Sequence, residues 1–341
     1  MEFRAHGANP DKLYEQFGVA MPERVFDFST NTNAVPRGLG FAPDIHAALE
    51  DYPDDGCCEL RRQIGAQTGA AEEEILATSG ANEGIYLLAS ILADRRNLIC
   101  QPVYGEYARA LAGFGNKAEN ISDLFETELP RGAAVWLCNP CNPTGAYIEE
   151  RRLDPFLKSH PDNLFIIDEA YRDFVWGRET EARPAAAENA VRLRSLTKTY
   201  CLCGARIGYI LAASALIERL KARQPSWSVP NLAQQAALFY MKDETLAERT
   251  RLFYAAEMPR LIAAVEAAGF QTLPTSANFF LMETEDDEAL IAFLLKKGVV
   301  VRHTRNFPGL DGRFVRIAAR APEENDILTA ALRAFRAEAS Q

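Results

Sequence analysis

Lys198 closes the run Ser195-Leu196-Thr197-Lys198 directly after an apolar stretch, where a solvated lysine has no structural reason to sit. A few residues on, Gly204-Ala205-Arg206-Ile207-Gly208 sets an arginine between glycines that let a ligand approach the backbone. Upstream, Ile166-Ile167-Asp168-Glu169-Ala170-Tyr171 puts Asp168 at the end of an apolar run that reads as a buried strand. In open α/β sheets that edge is where ligands bind. Asn139-Pro140-Cys141-Asn142-Pro143-Thr144-Gly145 is a turn-rich loop after another such run, and Thr78-Ser79-Gly80-Ala81-Asn82-Glu83 opens a helical stretch whose first N–H groups are free to face an anion.

Taken singly, each feature has an ordinary structural explanation: a surface lysine, an aspartate capping a helix, a turn sequence. Together, a lysine, an aspartate and an arginine at successive strand ends are the parts of a pyridoxal phosphate site. The lysine amine can form a Schiff base with the aldehyde. The aspartate can pair with the protonated pyridine nitrogen and keep the ring an electron sink. The arginine and a helix N-terminus can hold the phosphate.

These residues need strands that end side by side. Residues from about 51 to 213 alternate short apolar runs with helical stretches, the pattern of helices covering a mostly parallel sheet. Strands are expected at 97–101, 133–138, Leu164–Asp168, 191–196 and 207–212, apolar on both parities as a doubly covered sheet requires. Helices are expected at 82–94, 106–114, 149–159 and 216–223. Further on, 232–240 and 246–268 read as helices, followed by a strand at 278–282, a helix at 288–297, strands at 299–302 and Phe314–Ala318, and a helix at 323–337. This predicts a large α/β domain at 41–227. Residues 1–40 and 228–341 are expected to form an N-terminal arm plus a smaller α+β domain, with the arm carrying no fold element of its own. Pro225 and Pro230 around Trp227 mark the expected boundary.

Composition narrows the classes. The 341 residues carry 47 acidic against 37 basic side chains, a net charge of −10, which argues against nucleic-acid binding. No apolar run is long enough for a membrane span, and residues 1–10 lack a signal-peptide stretch. A cytoplasmic protein is the expectation. Cys138 and Cys141 have the spacing of a metal-ligand pair, but no second pair accompanies them and the four histidines lie far from any cysteine, so no metal is expected. A regulator built on this fold would need a basic DNA-binding domain, and none is expected here.

The order Ser-Gly-Ala-Asn-Glu, Tyr104, Asn-Pro-Thr-Gly, Asp-Glu-Ala-Tyr, Ser-Leu-Thr-Lys and Gly-Ala-Arg-Ile-Gly resembles the fold-type I, aspartate-aminotransferase-like family of pyridoxal phosphate enzymes over nearly the whole chain. The resemblance implies Lys198 as the Schiff-base lysine and Asp168 as partner of the ring nitrogen. Tyr171 and Asn142 would bond the ring oxygen, and Tyr104 would stack on the ring. Gly80, Ala81, Asn82, Ser195 and Arg206 would hold the cofactor phosphate. Tyr52 resembles the tyrosine that reaches a neighbouring subunit's phosphate, which implies a homodimer with shared sites, and Arg316 matches the arginine that receives the substrate carboxylate.

The cofactor motifs do not choose between transamination and decarboxylation. The segments around His6-Gly7-Ala8-Asn9, Asn31-Thr32-Asn33 and Val301-Arg302-His303 to Asn306-Phe307-Pro308-Gly309 resemble the threonine-phosphate decarboxylases of cobalamin side-chain synthesis. This implies a small phosphorylated amino acid as substrate, with His6 and Arg302 on its phosphate and Asn31 lining the site. The same resemblance leaves serine phosphate as a variant substrate, and the histidinol-phosphate aminotransferases are the alternative. One departure stands out. Where the family follows Asn-x-Asn with Pro-x-Gly, this chain reads Asn33-Ala34-Val35-Pro36-Arg37-Gly38, displacing the proline and glycine and adding Arg37.

Overall fold

The structure, a computed structural model, describes residues 9–38, 40–178 and 188–339. Twelve strands lie among the described residues: β1 (Phe26–Asp27), β2 (Ile75–Thr78), β3 (Asn97–Cys100), β4 (Ala118–Ile121), β5 (Ala134–Cys138), β6 (Leu164–Asp168), β7 (Ala190–Ser195), β8 (Gly208–Leu211), β9 (Phe279–Glu283), β10 (Val299–Val300), β11 (Arg302–His303) and β12 (Phe314–Ala318).

Seven of them form one sheet in the order β2-β8-β7-β6-β5-β3-β4. It is parallel except for β8, which runs antiparallel to both neighbours. Both faces are buried, and strand parity divides them. Ala134, Trp136, Ile166, Val191, Leu193 and Ile210 pack with the helices Gly80–Ser90 and Glu106–Gly113. Val135, Leu137, Phe165 and Ile167 face Leu153 and Leu157 of the helix Glu150–Ser159. This is the expected α/β architecture, and it brings the C-terminal ends of β5, β6 and β7 side by side.

The second core is built on the three-stranded sheet β11-β12-β9. The helices Leu246–Glu266, Asp287–Lys296 and Pro322–Ala339 contribute Met258, Leu261, Leu290, Leu294, Leu328 and Leu332 to it. The single strand expected at 299–302 is broken at Val301. Val299–Val300 pairs in parallel with β1, whereas Arg302–His303 pairs antiparallel with β12, so one short run serves two sheets.

The N-terminal arm also departs from expectation, because Pro10–Phe17 is a helix and β1 is a strand. Pro10 opens the helix and Gly18, at φ +61°, ends it, the usual start and stop residues. Buried Tyr14 anchors it by donating its hydroxyl to Leu295 O at 3.0 Å. Two strands expected from no sequence signal, β2 and β4, complete the large sheet. Among the described residues no helix is long and apolar enough to cross a membrane.

Candidate active site

A cavity of about 280 Å³ opens at the C-terminal ends of β5, β6 and β7. Lys198 borders it from the four-residue helix Leu196–Thr199 that follows β7, together with Asp168, Tyr104, Asn142, Tyr171, Ser195 and Arg206. Ala81 and Asn82 reach it from the first turn of Gly80–Ser90, and Asn31, Arg302 and Arg316 from the arm and the small sheet.

Gly80 itself sits behind this wall. Its φ is +75°, and a Cβ there would come within 2.6 Å of Arg206 Nη2, so only glycine lets the guanidinium lie against the helix start. Gly208 plays the matching part on β8, where a Cβ would meet Ala81 N at 2.7 Å. Arg206 also holds a positive φ of 60° and donates from Nη1 to Cys203 O at 3.1 Å. Ser195 Oγ lies 2.7 Å from Thr197 Oγ1.

Asp168 is buried, which raises its carboxyl above the ordinary value. Tyr107, donating at 2.7 Å, the Ala170 N–H at 2.9 Å and Lys198 all oppose that rise. Burial lowers the Lys198 amine, and Arg316 and Arg206 lower it further against the pull of Cys203 and Asp168. A lysine held toward its neutral form is a competent nucleophile and base. Burial likewise raises Tyr171, whose hydroxyl accepts from Asn31 Nδ2 at 3.3 Å.

Arg316 is buried and uses Nη1 on Asn142 Oδ1 and Nη2 on Ser29 O, at 2.7 Å for the latter. Its Nε, Asn31 Oδ1 and Asn82 Oδ1 are buried polar atoms without a hydrogen-bond partner, all from residues bordering the cavity. Buried polar groups are nearly always satisfied. A helix start, an arginine, a buried carboxylate, a neutral-leaning lysine and the unpaired Arg316 Nε fit an anionic ring cofactor together with an anionic substrate, and the two unpaired amide oxygens can accept from a ligand's own N–H or O–H groups.

Residues 46–333 match the family model for aminotransferase class I and II. The chain belongs to that family. It is a fold-type I enzyme, and its cofactor is pyridoxal 5'-phosphate. Among its relatives, the chain is 33% identical to the threonine-phosphate decarboxylase of Salmonella typhimurium over 96% of each chain. It is 30% identical to the histidinol-phosphate aminotransferase of Moorella thermoacetica, over 95% of this chain and 88% of that one. The solved L-threonine-O-3-phosphate decarboxylase from Porphyromonas gingivalis superposes with a TM-score of 0.81 at 26% identity, over 92% of this chain and all of that one.

Tyr52, expected to serve a neighbouring subunit's site, does not border this cavity. It is 79% exposed, its ring 4.6 Å from that of Trp227. His6 lies outside the described residues.

Several members of this aminotransferase-family site escaped the sequence. Tyr107, on Asp168, follows Tyr104 by three residues at a helix start, a spacing that sets both rings on one side. Thr197 borders the cavity from the short helix Leu196–Thr199, and Ser29, Asn306 and Phe307 border it from loops whose direction no periodicity encodes. The seven cysteines are free thiols, and no group of three or more metal-ligating side chains forms among the described residues. The departure at Ala34 has a use, since its N–H donates to Tyr254 Oη at 2.8 Å, a bond proline could not make.

Proposed function

We propose that this enzyme decarboxylates L-threonine O-3-phosphate to an aminopropanol phosphate, in cobalamin side-chain synthesis. The observation that carries the reading is a pair of buried arginines, Arg302 and Arg316, bordering the same cavity as Lys198. A phosphate and a carboxylate on one small amino acid call for two separated guanidinium anchors, each suited to bidentate bonding. The resemblance of the chain's terminal segments and its likeness to the threonine-phosphate decarboxylases support the choice.

In this reading Arg206, Ser195 and the N–H groups of the Gly80–Asn82 turn hold the cofactor phosphate. Asp168 pairs with the ring nitrogen, Asn142 and Tyr171 bond the ring oxygen, and Tyr104 covers one ring face. Pyridoxal phosphate supplies an electron sink for the bond broken at the substrate's α-carbon. Arg316 takes the substrate carboxylate, while Arg302, with His6 and beside Asn31, takes its phosphate. Lys198 Nζ returns a proton to the α-carbon once CO₂ has left. The enzyme works as a homodimer in which exposed Tyr52 completes the neighbouring subunit's phosphate site.

Histidinol-phosphate transamination is the second reading, favoured by the 30% identical relative. The test is to supply L-threonine O-3-phosphate to the loaded enzyme without a keto acid and follow CO₂. Steady release over many turnovers is expected. An aminotransferase would stop after one half-reaction, and glutamate formed from histidinol phosphate and 2-oxoglutarate would then identify it.

A further inference from the structure

The helix that carries Lys198 is four residues long, too short to hold its own geometry through internal hydrogen bonds. Its carbonyl end is largely buried, and one distant segment of the chain bonds it. Lys198 O accepts from the Asn33 N–H at 3.2 Å, and Thr199 O from Asn33 Nδ2 at 3.1 Å. Tyr200 O and Cys201 O both accept from Arg37 Nη1, at 2.6 and 2.9 Å. Cys201, forced to φ +51° by the tight turn, donates its thiol back to Asn33 O at 3.2 Å. Four consecutive carbonyls are thus satisfied by two residues of the arm.

Both residues are braced. Asn33 Nδ2 also donates to Thr250 Oγ1 at 2.8 Å, and Asn33 Oδ1 accepts the Val35 N–H at 3.0 Å. The Arg37 guanidinium lies 4.6 Å over the Tyr240 ring, and no described carboxylate forms an ion pair with it. Its charge is therefore directed at carbonyl dipoles, the favourable arrangement at the C-terminal end of a helical turn. The same segment carries Asn31 into the cavity and offers Ser29 O to Arg316 at 2.7 Å. One stretch of chain therefore touches both the substrate side and the lysine turn.

We propose that Arg37, together with Asn33, is a positioning residue that caps the carbonyl end of the Lys198 turn and so fixes the amine in the cavity. This rests on the reading of Lys198 as the cofactor-bearing lysine. It gives a purpose to the arginine that the chain adds where its family has a different sequence. Arg37 touches neither cofactor nor substrate and acts only through the turn.

The experiment compares Arg37→Met, which keeps the aliphatic stem over Tyr240 but removes donors and charge, with Arg37→Lys, which keeps a donor and the charge. Arg260→Ala, at a half-exposed arginine that pairs with buried Glu257 and exposed Asp326, controls for loss of an arginine elsewhere. Each holoenzyme is titrated by its visible absorbance against pH, and its melting temperature is recorded. Without the cap the turn relaxes and the buried lysine position gains solvent, which favours the protonated lysine-bound form, so in Arg37→Met the midpoint rises by about 0.5 unit or more. Arg37→Lys recovers most of that shift and Arg260→Ala shows none. A lowered melting temperature with an unmoved midpoint in Arg37→Met would reduce Arg37 to a structural brace and overturn the proposal. So would Arg37→Lys shifting as far as Arg37→Met. If Arg37→Met fails to fold, the comparison of Arg37→Lys with Arg37→Gln, which keeps a neutral donor, reads the same midpoint. Wild-type protein without any visible cofactor band would instead refute the underlying reading of Lys198.

Discussion

Arg302 and Arg316 stand directly opposite one another across the antiparallel pair β11–β12, both buried. Like charges in that position oppose each other. Burial, and then Arg316, pushes the Arg302 guanidinium below its ordinary value, and burial does the same to Arg316. A ligand with two anionic groups relieves both. Arg302→Ala is expected to lower kcat/KM for threonine phosphate by about 30- to 150-fold, the cost of about 2–3 kcal/mol when a buried charged contact is lost. Unphosphorylated threonine should lose far less. Arg316→Ala should weaken both, because both carry the carboxylate. Steady-state kinetics with the two substrates separates the roles, and equal losses for both in Arg302→Ala would remove the phosphate assignment.

Lys198 carries an amine that burial disfavours in its charged form. Its amine is buried and lowered, so between its folded value and the ordinary one the unfolded chain binds more protons. In that window stability rises with pH. Lys198→Met removes the cost and keeps the volume, and the ligand-free variant should melt higher than wild type at neutral pH. The same variant should lose the visible absorbance and all turnover. Calorimetry at two pH values checks the first half. A variant that melts lower at neutral pH would show that the amine is well solvated or paired.

Tyr107→Phe tests the support behind Asp168. The hydroxyl donates to Asp168 Oδ2 at 2.7 Å and lowers a carboxyl that burial raises. Without it the Asp168 value rises further, so the ionised form is lost at higher pH as a titration descends. Cofactor affinity should therefore weaken on the acid side first, with its acid limb displaced upward in pH. Equilibrium dialysis of pyridoxal phosphate across pH measures this. An unchanged limb would mean that the Ala170 N–H and Lys198 suffice.

The sequence was most informative where strand ends carry unusual residues. Asp168, Ser195 and Lys198 could be found because a charged or polar side chain after a doubly buried apolar run has few structural explanations. The elements β2 and β4 were missed for opposite reasons. Ile75–Thr78 is an apolar run too short to distinguish from its helical surroundings, and Ala118–Ile121 is an edge strand, mostly exposed, with no apolar face. The break at Val301 depends on which sheet each half finds, a tertiary matter that periodicity does not encode. Tyr107 and the caps from Asn33 and Arg37 are likewise contacts between distant segments. The type of each residue was visible, but its partner was not.

Behind the strand ends lies a second network that the sequence shows only as scattered charges. Glu169 follows Asp168 and points to the other face of the sheet. There Oε1 accepts from Arg172 at 3.1 Å and Arg192 at 2.5 Å, and Oε2 from Arg194 at 3.3 Å. Burial raises its carboxyl, but the three arginines outweigh that and hold it below the ordinary range. Arg194 continues to Asp173 at 2.9 Å, and Asp173 accepts the Thr199 hydroxyl at 2.7 Å, next to Lys198. One buried carboxylate thus ties the ends of β6 and β7 to the lysine turn. Glu169→Gln keeps the shape but leaves Arg172 and Arg192 to share Glu150 and Arg194 to rely on Asp173, so the cost falls below the figure of about 3–5 kcal/mol for a buried charge left with no partner. Because the folded value is depressed, the wild-type stabilisation is complete above the ordinary carboxylate range and fades as pH falls through the folded value. The gap in unfolding free energy between wild type and Glu169→Gln should accordingly be widest at neutral pH and narrow in acid. Urea denaturation at neutral and acidic pH measures it, and a gap independent of pH would mean that the loss comes from packing rather than from the charge.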